Sequence, residues 1–497
     1  MWPAGLIAAT LAINVGTSIQ RLRSLETAGL LLAYLFIFLF CSNLRDGRGL
    51  VAGSVVLSGT LLGGLGLYQS LSGLERLAAS AGPDLPEAFR ARIASGRALG
   101  TFGLPGALGG FLAISIPVTA WWTLRTPGGG ARRSIGLAAL AIQLGGLLAT
   151  RSAAATLALA AALAVVVWPR TRGGGSRRRL AAVAVVLAGV VVAGLLLAAR
   201  MSAPGSESEG AGPIALRAGN MTVAAVILAR HPLFGAGLGC YGIAFPAYRT
   251  EGMNESRFAH NSYIQLLSEG GLLLGVLVLV AAAACAVTVI RRAAEEGSAP
   301  YLAVACLAFL IHNLLDFTFY LPSVGMVFFC IAGLACGFSR ARGREPITLR
   351  SVRIVSALLL VGLALASARS DLALERARLL VLDGRSDESL AAAREATAAN
   401  PIDPDAWSFT SHLLLDRSAA GDPDALADAE DMALKASRLD PFTPHHWHHL
   451  GRVRLARGDP QGAYLALSRA ADLYPMKIEY RRDRDSVAAA LSGGSAR

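Results

Sequence analysis

Lysine is almost missing from this chain: only Lys435 and Lys477 occur among the 46 basic residues in 497. Charge of either sign is scarce too, 16% against about a quarter in a soluble domain. The deficit is uneven. Long apolar runs fill the chain to about residue 369, and the remainder is rich in Asp, Arg and Ala. This excludes an ordinary soluble protein and implies a membrane body, about 1–370, followed by a water-soluble domain, 371–497. Cysteine is also scarce. Cys41, Cys240, Cys285, Cys306, Cys330 and Cys336 form no CxxC pair, and all but Cys240 lie in or beside apolar runs. A disulfide framework and a metal site are therefore not expected, and the thiols read as small core residues. No basic n-region precedes the first apolar run, so that run is expected to remain as a span.

What is present is hydrophobic length. The composition is 54% hydrophobic, with a mean hydropathy of +0.51. A spanning helix needs about 20 mostly apolar residues. Spans are expected near 4–20, 27–43, 49–69, 105–124, 134–150, 152–168, 180–199, 262–290, 299–317, 322–338 and 353–370. The fold class is thus all-α: a polytopic bundle of about 11 spans. Only Thr150-Arg151-Ser152 divides the runs at 134–168, and Pro322 separates two later spans.

The net charge of +12 does not point to nucleic acid, because the arginines cluster between apolar runs, where topology signals sit. One set of alternate loops holds Arg45 and Arg48, then Arg125, Arg132 and Arg133, then Arg170 to Arg179, then Arg291 and Arg292, then Arg340 to Arg353. Those are expected in the cytoplasm. The other set, residues 70–104, 150–152, 200–261 and 318–321, is expected outside, as is the segment after 370. Gly128-Gly129-Gly130 and Gly173-Gly174-Gly175 lack the strand–loop–helix context of a phosphate loop and read as turns.

The C-terminal segment carries a helical repeat. Trp447, Leu450-Gly451, Ala463, Leu467, Ala470 and Pro475 follow the tetratricopeptide pattern, and Pro475 stands 34 residues after Pro441. Trp407 follows Pro401 by six residues, as Trp447 follows Pro441. The earlier repeat is longer, with an insertion near Ala419-Ala420-Gly421-Asp422-Pro423. Such a domain serves as a helical cap on the membrane body or as a docking surface for a protein partner. Its cluster His445, His446, His448 and His449 reads as exposed surface histidines, since neighbouring residues on a helix point in different directions.

Chemistry concentrates in two runs. The first is Arg230-His231-Pro232-Leu233-Phe234-Gly235-Ala236-Gly237-Leu238-Gly239; the second is Ala259-His260-Asn261-Ser262-Tyr263 continuing to Ser268-Glu269-Gly270-Gly271-Leu272. Here the chain resembles the O-antigen ligase/polymerase superfamily of membrane glycosyltransferases, most specifically over 217–275. Arg97 to Pro105, Arg217, and His312 with Asp316 and Pro322 match further pieces of that pattern. Leu104 and Gly106 stand where the family has an Asn pair, and Leu274 and Gly275 depart from the ligase subtype.

The resemblance implies a GT-C-like membrane fold and transfer of a glycan from undecaprenyl pyrophosphate, with inversion at the anomeric carbon and no cofactor or metal. The residues fit that chemistry. Arginine grips phosphate in a two-pronged fork and stays charged, which nominates Arg217 first, then Arg97 and Arg151, with Arg249 and Arg257 behind them. Histidine titrates near neutrality, so His260 is placed to take the acceptor proton; the plain alternative is a helix-capping or interface residue. Asn261 is expected to orient sugar or imidazole, and Glu269, nine residues on, to be a buried hydrogen-bond partner. His312 and Asp316, spaced i, i+4, are expected to share a helix face as substrate-binding groups or as a polar pair pinning helices.

The expected function is therefore an O-antigen ligase-type transfer to lipid A-core or a similar acceptor at the outer face of the bacterial inner membrane. Within the same chemistry the alternatives are a Wzy-type polymerase and a protein O-oligosaccharyltransferase. A transporter of lipid-linked sugars predicts charges inside many spans, which are few here. A non-catalytic scaffold predicts a decayed site.

Overall fold

The apolar runs fold as helices, which satisfy the backbone groups within each run, away from water. A computed structural model describes residues 2–44, 47–76, 93–125, 129–171, 184, 187–189, 191–196, 213–295, 297–337 and 347–494. The body holds α1 (Trp2–Thr17), α2 (Arg21–Ser42), α3 (Arg48–Tyr68, continued by a π-helical turn Gln69–Gly73), α4 (Pro105–Arg125), α5 (Gly130–Ala149) and α6 (Ala153–Thr171). It continues with α7 (Pro213–Arg230), the short α8 (Tyr241–Tyr248), α9 (Ser262–Arg292), α10 (Ala299–His312) and α11 (Pro322–Cys336). No strand occurs among the described residues, so the chain is an all-α membrane bundle. Of the span expected at 180–199, residues 184, 187–189 and 191–196 are described, all as helix, while the arginines at 172–179 and 340–344 and the stretches 77–92 and 197–212, expected outside, lie beyond the described residues.

Among the described residues, four helices are long and apolar enough to cross a membrane: Arg21–Ser42, Arg48–Arg76, Pro105–Leu124 and Ser262–Arg292. Ala153–Pro169, Ala299–His312 and Pro322–Cys336 are shorter apolar helices. Burial ranks them. The apolar window of α4 is 78% buried and that of α9 17%, so α4 is the central post and α9 lies on the rim. Around α4 pack α3, α5, α6 and α10, with Leu108, Phe111, Ile114 and Phe309 in the core. Small residues and hydrogen bonds draw these helices together. Gly63 meets Gly146 backbone to backbone, and Ser115 Oγ donates to Gln143 Oε1 at 2.9 Å.

Loops sort to two ends. At one, Arg292 Nη1 donates to the carbonyls of Ala335 and Cys336 at 3.0 and 2.6 Å, beside Gly337 and Arg48. At the other, segments around 18–26, 95–100, 150–152, 231–261 and 312–321 form one connected rim.

A single helix, α12 (Ile347–Leu382), crosses the expected domain boundary at 370, and its last turns begin a row of helical hairpins. The row holds α13 (Ser386–Ala399), α14 (Pro404–Ala419), α15 (Ala425–Leu439), α16 (Pro444–Ala456), α17 (Pro460–Leu473) and α18 (Ile478–Gly494). Helices α12 with α13, α14 with α15, and α16 with α17 pair most closely. The repeated Pro–Trp spacing has a structural cause: Trp407 Nε1 donates to the Pro401 carbonyl at 2.9 Å, and Trp447 Nε1 to that of Pro441 at 3.0 Å. The extra residues after Ala419 form a turn held by Arg417 Nε on Asp422 Oδ2 at 2.8 Å.

Two contacts seat this row on the rim. Gln20 Nε2 donates to the buried Asp440 Oδ2 at 2.9 Å. Tyr474 donates its hydroxyl proton to Glu255 Oε1 at 2.6 Å and accepts from Arg249. Arg249, a weaker phosphate candidate in the sequence, is thus engaged in holding the C-terminal helices.

Candidate functional site

The site is built on a helix entrance. Asn261 caps α9, its side-chain oxygen accepting from Tyr263 N at 3.0 Å and Ile264 N at 3.2 Å. His260 stands just before the cap with left-handed backbone, φ 56°. That conformation is uncommon outside glycine and costs of order 1–3 kcal/mol. It turns the imidazole toward Phe317, whose ring it meets edge-on at 5.0 Å, while Phe258 stacks on the same Phe317 ring at 4.1 Å.

The helix entrance is riveted to the turn after α10. Ser262 N donates to the carbonyls of Asn313 (2.9 Å) and Asp316 (3.1 Å), and Ser262 Oγ to Asn313 Oδ1 at 2.6 Å. The buried His312 ends α10, with Nδ1 3.3 Å from Thr318 Oγ1 and Nε2 3.8 Å from Asp316 Oδ2. The pair expected on one helix face is therefore brought together differently. The helix stops at His312, and the following turn folds Asp316 back, its Oδ1 accepting from Phe317 N at 2.7 Å.

Three glycines on α4 let the other segments reach this turn. A side chain at Gly106 would collide with the Asp316 carboxylate, and one at Gly110 would stand 2.9 Å from the His312 ring. A side chain at Gly109 would stand 3.0 Å from Ser152. The 150–152 turn thus lies alongside. It carries Arg151, also left-handed at φ 49°, which reaches Ser95 O at 3.4 Å, while Arg97 Nε donates to Thr150 O at 3.0 Å. Arg97 and Arg151 therefore sit together where the two loops join. Arg217, half-buried on α7, is close enough for its charge to act on His312.

Below the entrance α9 is broken. Gly271 has φ 64° and ψ −171°, and the 231–239 loop crosses the gap. Ala236 N and Gly237 N donate to the carbonyls of Ser268 and Glu269, both at 2.9 Å. Leu272 N and Leu273 N donate to those of Pro232 and Leu233, at 2.8 and 3.2 Å. The fully buried Glu269 carboxylate accepts from Gly239 N, Tyr241 N, Gln265 Nε2 and Tyr320 Oη, all within 3.1 Å. It is a hydrogen-bond hub, as its depth on the helix suggests, and clamps the loop against α9.

Asn14 completes that clamp and was not singled out from the sequence. Its amide donates to the carbonyls of Phe234 (2.7 Å) and Glu269 (3.0 Å) and accepts from Leu238 N at 2.9 Å. The usable signal was an Asn inside an apolar run, where an amide needs partners. Nearby, burial pushes the Cys240 thiol up to about 11, and no disulfide joins any of the six cysteines.

The histidines of the C-terminal row differ from the surface cluster expected. His446 and His449 are buried. His449 Nε2 meets Ser411 Oγ at 2.8 Å, His448 Nε2 meets Asp483 Oδ2 at 2.8 Å, and His445 and His446 both turn to Asp405. Residues adjacent on a helix converge here because Asp405 lies opposite the first turn of α16.

No curated protein matches the chain. A solved structure titled "First TPR of Spaghetti (RPAP3) bound to HSP90 peptide SRMEEVD" is similar at 18% identity and a TM-score of 0.23, covering 25% of this chain and 95% of that one. Residues 138–279 match the family model described as O-Antigen ligase. That stretch contains Arg151, Arg217, the 231–239 loop, His260 and the broken start of α9, so the likeness to the O-antigen ligase family falls on the site just described.

Proposed function

We propose that this protein moves a glycan from undecaprenyl pyrophosphate to an acceptor hydroxyl, on lipid A-core or a similar lipid-borne sugar, at the outer face of the bacterial inner membrane. The observation that carries the reading is the convergence of separate chain segments on one rim. Arg97 and Arg151 join two loops there, His260 stands just before the Asn261 cap of α9 beside the His312–Asp316 turn, and Arg217 adds its charge. In this reading Arg217, Arg97 and Arg151 hold the pyrophosphate oxygens. His260 takes the acceptor proton as the acceptor oxygen bonds to the anomeric carbon. The bond from that carbon to the pyrophosphate oxygen breaks, undecaprenyl pyrophosphate leaves, and the configuration inverts. Asn261, His312 and Asp316 line and orient the acceptor side. The C-terminal row, read as a tetratricopeptide-like domain on the same side, offers a surface for a protein partner.

The test is deletion of the gene and complementation with His260→Ala and Arg217→Ala, followed by surface polysaccharide, lipid-linked intermediates and chain-length ladders. Long polymer stranded on the lipid carrier indicates a ligase. Single repeats capped on lipid indicate a polymerase. Full function in both variants overturns the assignment.

A further inference from the structure

The C-terminal row holds a second cluster of chemically competent side chains, remote in sequence from His260. Asp405, in the first turn of α14, faces His445 and His446, in the first turn of α16. One ligand atom from each lies within 4.8 Å of the others. Both histidine Nε2 atoms stand 3.7 Å from Asp405 Oδ1. That spacing is too long for a hydrogen bond. It is close to the separation of about 3.4 Å between two ligand atoms of one tetrahedral ion with bonds of ~2.1 Å.

The second observation is His446 itself. Its side chain is 0% exposed, and neither ring nitrogen has a hydrogen-bond partner. A buried imidazole without partners is rare unless something else meets it. Its Nε2 points between Asp405 and Asp440, 3.9 Å from the latter's Oδ2. Burial lowers the affinity of His446 for a proton, which favours the neutral ring that binds metals. The surroundings favour a cation on balance. Asp405 lines a cavity of about 430 Å³ between the α1–α2 turn and the C-terminal row, bordered by five carboxylates against the guanidiniums of Arg23 and Arg378. Two helix N-termini and Arg23 oppose a cation there, and the carboxylates offset them. The cavity also supplies an entry path to Asp405, and Asp405 and His445 are both half-exposed.

We infer that Asp405, His445 and His446 form a site for a first-row divalent transition ion of the zinc type, with a position left open for water. Two imidazoles and one carboxylate suit such an ion rather than calcium or magnesium. The ion ties the first turns of α14 and α16 together, next to the Gln20–Asp440 contact that seats the row on the membrane body. It acts as a brace on the row and takes no part in the glycan site.

The test uses the full chain in detergent, with affinity tag removed and metal stripped by chelator. Cobalt(II) is titrated and followed by its visible absorption, and zinc affinity is measured by competition with a chromophoric chelator. The wild-type chain is expected to take up one equivalent, with zinc raising its thermal midpoint. Asp405→Asn and His445→Ala are each expected to weaken binding at least about tenfold. Both positions are half-exposed, so the variants fold, which their metal-free thermal midpoints verify. His448→Ala, whose ring points to Asp483, is expected to bind as wild type. No uptake by the wild-type chain at micromolar zinc overturns the site, and so does wild-type affinity in both Asp405→Asn and His445→Ala.

Discussion

His260 and Arg151 are the two non-glycine residues of the described chain with left-handed backbone, φ 56° and 49°, and both stand on the same rim. Neither conformation is needed to make a helix, and each is held by surrounding bonds: the Asn261 cap in one case, the Thr150–Arg97 contact in the other. His260→Gly separates the two roles of the position. Glycine relieves the φ strain but loosens the unfolded chain, effects of about 1 kcal/mol and opposite sign. The thermal midpoint is therefore expected to stay near wild type while glycan transfer disappears. Retained transfer in folded His260→Gly protein would show that the side chain serves the fold alone.

Glu269 presents the opposite case. Four donors converge on one buried carboxylate, so Glu269→Ala leaves each without its acceptor. An orphaned buried donor costs ~1–3 kcal/mol. The variant is expected not to accumulate in the membrane. Glu269→Gln keeps one oxygen but turns an NH2 toward donors, and is expected to fold with a clearly lowered midpoint. Yield and thermal unfolding in detergent check both.

Much of this was legible in the residues, for identifiable reasons. The short break Thr150-Arg151-Ser152 does separate α5 from α6, because a charged residue between two apolar runs has nowhere else to go. The Pro–Trp spacing of the repeats survives as an indole-to-carbonyl bond. The break in α9 was hidden, since the hydrophobic run continues straight through Gly271 and only a partner loop reveals the missing helical bonds. The His312–Asp316 contact was foreseen by the wrong route: i, i+4 spacing suggests a helix, but the turn after His312 makes it. His446 and His449 were misread as surface residues because helical geometry says where side chains start, not what stands opposite them.

The seating of the C-terminal row rests on few groups, so it is open to dissection. Gln20→Ala removes a neutral donor from a buried carboxylate and is expected to cost about 1 kcal/mol. Tyr474→Phe removes the hydroxyl of a buried tyrosine, shared by Arg249 and Glu255, and about 1 kcal/mol is again expected. The two contacts share no partner, so the double variant should show the sum of the single effects. Hydrogen exchange across α8 and α16 measures it. A double effect far above the sum would mean that the row undocks as a unit.

Buried histidines make the row acid-sensitive. Burial lowers the pKa of His446, and it lowers that of His449 to about 2, against an ordinary value of 6.5. The native rings stay neutral while the unfolded chain takes up protons below pH 6.5. Stability is therefore full above that pH and falls as pH drops through it, by about 1.4 kcal/mol per pH unit for each ring. Burial raises the pKa of Asp440 and Asp403 above 3.8, so their effect runs the other way. They bind protons earlier in the native state, and the fall should flatten near the carboxylate range. The check is the opening free energy of α16 from amide exchange at pH 7.5 and 5.5, corrected for intrinsic rates and run with chelator present. His412, packed against His449, is lowered by burial as well, so His449→Gln should reduce the slope without abolishing it, leaving the carboxylate-driven flattening in place. A pH-independent opening energy in the wild-type chain would mean that these rings are hydrated and free to charge in the native row.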